Sequence, residues 1–270
     1  MLAPVIDTHA HVIASDERRY PRAPLGGKQS DWSRERPVSA EAMLAAMDRA
    51  GIERTVLVQA STCYGHDNSY LADAVAAHRQ RFIGVFSVDV LAPEAPVRIR
   101  QWLERGLAGL RVFIAGHTTA QDLRLDDPRA FPAWEYASGA ALPICVQLRA
   151  PALGQLQGML ERFPRARVLL DHMARPDYQA PEALLALARY ENLYLKLTTH
   201  NVREAPQNFF ARVVKSYGAA RIIWGSNFPA AEGALEALVA QARAALASLS
   251  PQEHDWIFSR SARNFYAALG

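Results

Sequence analysis

The chain has 270 residues, a formal net charge of +3 at pH 7 and a pI near 9.0, and half of its residues are hydrophobic. No stretch approaches the roughly 20 consecutive apolar residues of a membrane-spanning helix. No Lys/Arg run interleaved with aromatic residues indicates a nucleic-acid surface. The two cysteines, Cys63 and Cys145, lie far apart and outside any Cys/His cluster, which argues against a disulfide framework or a zinc knuckle. No signal peptide precedes the first predicted strand, so we expect a cytoplasmic protein.

The first predicted strand covers residues 4–12 and reads P-V-I-D-T-H-A-H-V. Because side chains alternate along a strand, Asp7, His9 and His11 are expected to face the same side. Two imidazoles about 7 Å apart can converge on a divalent metal or on a ligand oxygen. The alternative is a pair of hydrogen-bonded core histidines. An H-x-H pair with Asp two residues upstream at a strand end favours a functional site.

Residues 13–37 are rich in charge, Gly and Pro, and include Trp32 near their end. This composition predicts a long loop, and long loops inside a compact domain are usually functional or disordered. The loop leaves the strand that carries His9 and His11. It is therefore either a lid over them or a mobile surface excursion.

From residue 38 onward, predicted helices and short Val/Ile/Leu-rich strands alternate, as in a parallel sheet that is buried on both faces. Eight such units favour a single (β/α)₈ TIM barrel over residues 1–270, since this fold takes about 250 residues. An open doubly wound sheet is the alternative, but it would normally carry a glycine-rich fingerprint after the first strand. The predicted strands are 4–12, 55–58, 82–88, 108–113, 143–148, 167–171, 193–197 and 222–224, and the helices are 39–50, 68–79, 93–104, 127–139, 151–163, 181–190, 205–217, 233–247 and 251–269.

The active site of such a barrel forms at the carboxyl ends of its strands, so polar residues at those ends are the candidates. Arg111 lies in an apolar strand and needs a partner, which is either a substrate carboxylate or an internal carboxylate such as Asp171. Only one of the neighbours Asp171 and His172 is expected to face the barrel axis, and we predict that it is His172. His66, His117 and His200 fall in predicted loops at this end. The other polar residues at predicted strand ends are Gln59, Ser87, Asp89, Gln147, Arg149, Lys196, Ser226 and Asn227.

Four motifs resemble the amidohydrolase superfamily, and more narrowly its amidohydrolase-related branch, which includes 2-pyrone-4,6-dicarboxylate lactonase and sugar lactonases. They follow one another in the order of that family along the whole chain. They are V-I-D-T-H-A-H in the first strand, D-H-M-A-R-P at 171–176, W-G-S-N-F-P at 224–229 and S-A-R-N-F-Y at 261–266.

The resemblance implies an amidohydrolase-like barrel that hydrolyses an ester, lactone or amide with an activated water. It also implies a divalent-metal site in the metal-dependent members, for which His9, His11 and His172 match the family pattern. Two positions depart from that pattern. Gln147 stands where a histidine ligand is needed, and Asn227 replaces the aspartate that binds metal and takes a proton from water. An asparagine cannot act as a general base.

Two chemistries remain open for this set of residues. Either three histidines hold one divalent ion, with Zn²⁺ as the expected metal and an open fourth position, or the enzyme works without metal. In the second case the resemblance implies that histidines and arginines polarise the carbonyl, and His172 or His200 replaces the missing base.

We therefore predict a hydrolase of a small lactone, with or without a carboxylate, and no other partner except possible copies of itself. The alternatives are a metal-assisted decarboxylase of the same branch and an inactive small-molecule binder that lost its base at position 227. The assigned catalytic residues are His9, His11, His172 and Asn227, and the assigned substrate contacts are Gln59, Arg111, Gln147, Lys196 and His200.

Overall fold

The structure is a computed structural model that describes residues 4–114, 123–206 and 208–270. Its eight strands are all parallel and neighbour one another in chain order, which confirms the predicted (β/α)₈ barrel. His117 lies outside the described residues. The strands are β1 Val5–Ala10, β2 Ile52–Val58, β3 Phe82–Ser87, β4 Gly109–Phe113, β5 Pro143–Gln147, β6 Arg167–Leu170, β7 Leu193–Thr198 and β8 Ile222–Gly225.

Helices connect the strands and pack around the barrel. The helix after residue 38 begins at Ser39, whose side chain accepts a hydrogen bond from Ala42, and ends at Gly51 in the left-handed region, as the sequence predicts. No described helix is long and apolar enough to cross a membrane. The α-helices are α1 Asp31–Glu35, α2 Ala40–Ala50, α3 Ser61–Tyr64, α4 Ser69–Ala77, α5 Ala95–Glu104, α6 Phe131–Gly139, α7 Leu153–Arg162, α8 Glu182–Ala186, α9 Thr199–Glu204, α10 Phe209–Tyr217, α11 Leu235–Ala245, α12 Pro251–Asp255 and α13 Ser261–Phe265.

Three predicted segments differ from the observed elements. The predicted loop at 13–37 contains the short helix α1. The predicted helix 205–217 begins only at Phe209, as α10, and the short helix α9 ends at Glu204, before Pro206, which has no N–H group with which to continue it. The predicted last helix, 251–269, is interrupted by a wider π-helical turn at Trp256–Arg260. None of these differences alters the order of the strands.

The interior of the barrel is filled by aliphatic side chains from several strands. Ile6, Val56, Val85, Leu169 and Ile223 belong to one buried cluster, and each of them is 0% exposed. This apolar filling leaves the polar residues of the same strands at one end of the barrel. The charged and imidazole groups therefore gather at the carboxyl ends of the strands, as expected for the fold.

The first and last strands are joined mainly by the residues at and beyond their ends. The Thr8 hydroxyl donates to the Trp224 carbonyl at 2.7 Å, and the amide of Asn227 donates to the His9 carbonyl at 2.6 Å. The amide of His11 donates to the Phe228 carbonyl at 2.8 Å. These bonds fix the H-x-H segment directly against the W-G-S-N segment.

Gly225 is a sensitive point of this contact. A Cβ atom placed there would lie 2.6 Å from the His9 Cβ and 2.8 Å from the His9 backbone nitrogen. We expect Gly225→Ala to destabilise the protein by about 1–3 kcal/mol, because a backbone must move, and to reduce activity through displacement of His9. Urea unfolding measures the first effect and steady-state kinetics the second. Gly154→Ala, where nothing lies within 4 Å of the added Cβ, is the control, and equal behaviour of the two variants would contradict the expectation.

Candidate active site

Three histidines from opposite parts of the chain meet at the mouth of the barrel. The ring centroid of His9 lies 5.0 Å from that of His11 and 4.9 Å from that of His172. The ring of His200 lies 5.5 Å beyond His172. The predicted convergence of the H-x-H pair with the late Asp-His pair is therefore observed.

Asp7, the acidic residue of the first strand, forms hydrogen bonds with other residues of the protein and does not line the cavity. Its carboxylate accepts hydrogen bonds from the Ser226 amide at 2.8 Å, the Ser226 hydroxyl at 2.5 Å and the His9 amide at 3.0 Å. Burial raises the pKa of Asp7 to about 6, although these hydrogen bonds oppose the shift. Asp7 therefore holds β1 against the segment after β8.

The end of β6 corrects the prediction that only one of Asp171 and His172 faces inward. The strand ends at Leu170, and His172, Met173, Ala174 and Arg175 all have positive φ values between 49° and 59°. Strict alternation of side chains no longer applies in this turn. Both Asp171 and His172 consequently reach the barrel axis.

Asp171 forms a buried ion pair with Lys196. The Lys196 Nζ lies 2.7 Å from Asp171 Oδ1, and both side chains are 0% exposed. The Arg111 Nε lies 4.0 Å from the other carboxylate oxygen. Burial opposes ionisation of Asp171, but Lys196, His9 and Arg111 together outweigh it and hold the pKa of this carboxyl well below its usual value. Asp171 is therefore a carboxylate at neutral pH.

Lys196 also determines which nitrogen of His9 carries the proton. Its Nζ lies 3.2 Å from His9 Nδ1, and a lysine ammonium has only donors. The His9 Nδ1 therefore accepts, and the proton of the neutral ring is on Nε2. Burial chiefly, and then Lys196, lower the pKa of His9 well below its ordinary value, which keeps the ring neutral.

In His172 the proton is on the other ring nitrogen, Nδ1. Its Nδ1 lies 2.8 Å from the Thr198 hydroxyl, which in turn donates to Asn201 Oδ1 at 3.2 Å. The Asn201 amide is oriented by its other bonds, since Nδ2 donates to the His172 carbonyl at 2.8 Å and Oδ1 accepts from the Thr198 amide at 2.9 Å. We assign the Thr198 hydroxyl proton to Asn201 Oδ1, an oxygen that can only accept, so that His172 Nδ1 donates to the hydroxyl oxygen. Its Nε2 is then an unprotonated acceptor.

His11 is also an acceptor at Nε2. Its Nδ1 donates to the Val58 carbonyl at 2.7 Å, and its ring stacks on Trp32 at 5.1 Å between centroids. Burial chiefly lowers the pKa of His11 to about 3. This stacking places Trp32, from the segment at 13–37, against the histidine cluster.

A cavity of about 260 Å³ opens above these histidines. Six of the residues assigned from the sequence line it: His11, Arg111, Gln147, His172, His200 and Asn227. Asn227 has a φ of 61°, a left-handed conformation that Asn adopts more readily than most residues. His9, Gln59 and Lys196 are not part of the lining and lie next to it, almost fully buried.

Arg111 is largely engaged by the protein. One guanidinium nitrogen donates to the Gln59 carbonyl at 2.6 Å, another donates to Gln147 Oε1 at 3.1 Å, and the group lies over the Phe113 ring at 4.6 Å. Gln59 itself donates its side-chain amide to the Gly65 and Asp67 carbonyls. Substrate contact by Gln59 and Lys196 stays a prediction, and their observed contacts are with the protein.

Sequence reasoning did not assign the positive groups at the mouth of the cavity. Arg149 and Arg175 line it beside His200, and Arg175 is paired with Glu204. Arg149 is exposed, and within the described parts of the chain it has no acidic partner at salt-bridge distance. Its position two residues after Gln147, at the end of β5, placed it among the polar residues at strand ends, but the sequence did not distinguish a role for it.

The donor set does not fit the predicted metal site. His11 and His172 each present an unprotonated Nε2, but the His9 Nε2 carries a proton and is buried without a hydrogen-bond partner. Among the residues that the structure describes, no group of three His, Cys, Asp or Glu side chains is placed to hold a metal ion. The set His9, His11 and His172 is therefore not arranged as a ligand set here.

Acid should destabilise the protein through these neutral histidines. The pKa of His11 is about 3, below the ordinary 6.5, so the stability that neutral His11 contributes is complete above pH 6.5 and is lost as pH falls toward 3. His9 and His172 shift in the same direction, whereas the raised pKa of Asp7 opposes the loss below about 6. We expect the unfolding free energy to fall by about 2 kcal/mol between pH 6.5 and 5. Urea titrations at a series of pH values measure this free energy. His11→Gln should reduce its dependence on pH, and an unfolding free energy of wild type that does not change with pH would contradict the expectation.

A comparison with known proteins places this barrel in a family. The family model described as amidohydrolase matches residues 6–268, nearly the whole chain. The chain belongs to the amidohydrolase family. This amidohydrolase is also 30% identical over 242 residues to the L-fucono-1,5-lactonase of Burkholderia ambifaria, covering 83% of the chain and 80% of the relative.

Solved structures agree with the amidohydrolase fold. A Pseudomonas putida protein assigned as a 2-pyrone-4,6-dicarboxylic acid hydrolase has a TM-score of 0.81 at 20% identity, over 99% of both chains. A zinc-bound amidohydrolase from Burkholderia multivorans has a TM-score of 0.78 at 20% identity, over 98% of this chain and 99% of the other. A 2,6-dihydroxybenzoate decarboxylase from Rhizobium has a TM-score of 0.76 at 15% identity, over 100% of both. At these identities the amidohydrolase shares their fold, and the likeness does not identify its substrate.

Proposed function

We propose that this amidohydrolase hydrolyses a small lactone, with His172 as the general base that takes a proton from the attacking water. The 30% identity with a lactonase supports the choice of a cyclic ester over the other substrates of the fold. The observation that carries the role of His172 is the hydrogen-bond chain through Thr198 to Asn201, which leaves Nε2 unprotonated in the cavity. Burial chiefly lowers the pKa of His172 well below 6.5, so the ring is neutral and able to accept a proton at pH 7.

The reaction follows from this assignment. The water oxygen forms a bond to the lactone carbonyl carbon while its proton moves to His172 Nε2. The ring C–O bond then breaks, and the same proton passes from His172 to the departing alkoxide, which leaves a hydroxy acid. Asn227, whose amide both donates and accepts, holds the water or the substrate beside His172.

Gln147 is suited to stabilise the negative charge that forms on the carbonyl oxygen. Its Oε1 already accepts a hydrogen bond from Arg111, so its side-chain NH₂ group remains available to donate into the cavity. The guanidinium behind it adds positive charge in a place with little solvent, since Arg111 is 4% exposed. Gln147 thus has a use at the position where the family pattern has a histidine ligand.

The proposed mechanism routes no step through a metal ion. His9 cannot ligate while Lys196 holds its proton on Nε2. Neutral His172 supplies the base that the replacement of aspartate by Asn227 removed. The sequence left metal-dependent and metal-free chemistry open, and we propose the metal-free one.

We propose Arg149, rather than the engaged Arg111, as the contact for a substrate carboxylate. We expect Arg149→Gln to raise KM for a carboxylate-bearing lactone about tenfold, because the substrate carboxylate loses the guanidinium that binds it. KM for a neutral lactone of the same ring size should change less than twofold. Arg98→Gln, on the outer face of α5, is the control. Equal effects on both substrates would contradict the assignment.

The proposed function is tested by acid release from a panel of five- and six-membered lactones, with and without a carboxylate. We expect at least one substrate with kcat/KM above about 10⁴ M⁻¹ s⁻¹, in the usual range for enzymes. Release of CO₂ from a hydroxybenzoic acid would favour the decarboxylase instead. Thermal stabilisation by lactones without turnover would indicate the inactive binder.

A further inference from the structure

The Lys196–Asp171 pair is unusual because both charges are completely buried in the centre of the barrel, directly below the histidines. Buried ion pairs contribute little net stability compared with apolar residues of the same size. The mechanism above uses neither residue directly. The contact of Lys196 with His9 indicates a role for this ion pair.

The Lys196 Nζ makes two close contacts. It donates a hydrogen bond to His9 Nδ1 at 3.2 Å, and it forms an ion pair with Asp171 Oδ1 at 2.7 Å. His9 Nδ1 also lies 3.7 Å from Asp171 Oδ1. An imidazole that accepts at Nδ1 must carry its proton on Nε2, whereas one that donates at Nδ1 to a carboxylate has a free lone pair on Nε2.

The His9 Nε2 is the buried atom whose state differs between these two arrangements. It has no hydrogen-bond partner in the described chain, and its ring lies within about 5 Å of the rings of His11 and His172. Each of those two rings already has an unprotonated Nε2. Moving one proton on His9 would therefore produce three imidazole lone pairs in one cluster, which is the donor set of a His₃ zinc site.

The charges around the cluster also disfavour the binding of a divalent metal ion. The cluster lies beside two buried cations, Lys196 and Arg111, and one carboxylate, Asp171, that both of them contact. A divalent ion would add positive charge to a region that already has an excess of it, in a medium where such interactions are weakly screened.

We infer that Lys196 closes the His9–His11–His172 cluster to divalent metal by holding His9 in the tautomer protonated on Nε2. Replacement of Lys196 by a neutral side chain lets His9 Nδ1 donate to Asp171 and turns the Nε2 lone pair toward the cluster. Lys196 is thus a positioning residue, and the inference concerns metal affinity without reference to the substrate proposed above.

The test is a Zn²⁺ titration by calorimetry of chelator-treated protein without substrate. We expect wild type to bind zinc in the cluster at least 100-fold more weakly than Lys196→Met. The additional site in Lys196→Met should disappear when His9→Ala is added. Lys215→Met, which removes an exposed lysine on α10, should behave as wild type. Equal zinc affinity of wild type and Lys196→Met would overturn the inference, and so would a tight wild-type site that His9→Ala removes.

A second variant covers the case in which Lys196→Met does not fold, since it leaves Asp171 buried with fewer partners. Lys196→Met/Asp171→Asn removes both charges and still offers an amide oxygen to His9 Nδ1, so it should gain the same zinc site. Long-range ¹H–¹⁵N spectra of histidine-labelled wild type provide a readout that needs no variant at Lys196. A His9 signal protonated on Nε2 supports the inference, and one protonated on Nδ1 overturns it. Because substrate is absent throughout, these outcomes are independent of whether a lactone is hydrolysed.

Discussion

Replacing His172 by alanine is expected to lower kcat for lactone hydrolysis by about 10²–10⁴-fold, the usual contribution of a positioned general base. The structure gives the physical reason, because His172 presents an unprotonated Nε2 to the cavity and its other nitrogen is held by Thr198 at 2.8 Å. KM should change much less, since the base acts on water and not on the substrate. Stopped-time assays with the best lactone of the panel measure both constants.

Thr198 provides the matched control for this experiment. Thr198→Val removes the acceptor of His172 Nδ1 but keeps the shape of the side chain, so kcat should fall while the fold is retained. Thr198→Ser keeps the hydroxyl and should recover most of the activity. A His172→Ala variant with kcat within threefold of wild type would exclude His172 as the base, and the same loss in Thr198→Ser and Thr198→Val would exclude the hydrogen-bond chain.

The second large effect is expected as a rescue. Adding Asn227→Asp to His172→Ala should raise kcat at least tenfold over the single variant, because a carboxylate next to the water can take the missing proton. Asn227 lines the same cavity as His172, and its left-handed backbone conformation also suits aspartate. The acidic limb of the pH–rate profile should then move to the range of a carboxyl group.

The pH profile distinguishes a rescue from an unspecific gain. Wild type should keep its activity as pH falls through 6.5 and lose it only at lower pH, because burial lowers the pKa of His172 well below its ordinary value. The pH–rate profile of the rescued variant should instead follow the titration of the introduced aspartate. Asn227→Ala in the same background is the control, and it should not recover. A double variant no faster than His172→Ala would show that position 227 does not contact the attacking water.

The barrel could be predicted because it follows from regular patterns. The alternation of helices with short apolar strands determines a parallel sheet, and the fold then brings His9 and His172 to the same end of it. The positions of these residues at strand ends were sufficient to anticipate the cluster, although over half the chain separates them. The alternation rule failed at Asp171, because the left-handed run after β6 turns two successive side chains inward.

The chemistry of the site could be predicted only in part, since it depends on hydrogen bonds across the barrel. The sequence gives no sign that Lys196 would contact His9, or that Asn201 would orient Thr198 and thereby His172. Arg111 was a reasonable anion contact by residue type. Two of its three nitrogens are engaged by Gln59 and Gln147, which no spacing reveals.

The most direct measurement is lactone turnover by enzyme whose metal content has been reduced by chelation and then quantified. We expect kcat/KM to stay within a factor of two of untreated protein, and added Zn²⁺ to give no increase. Loss of turnover on chelation, with recovery only when zinc is restored, would contradict a neutral imidazole as the source of the nucleophile.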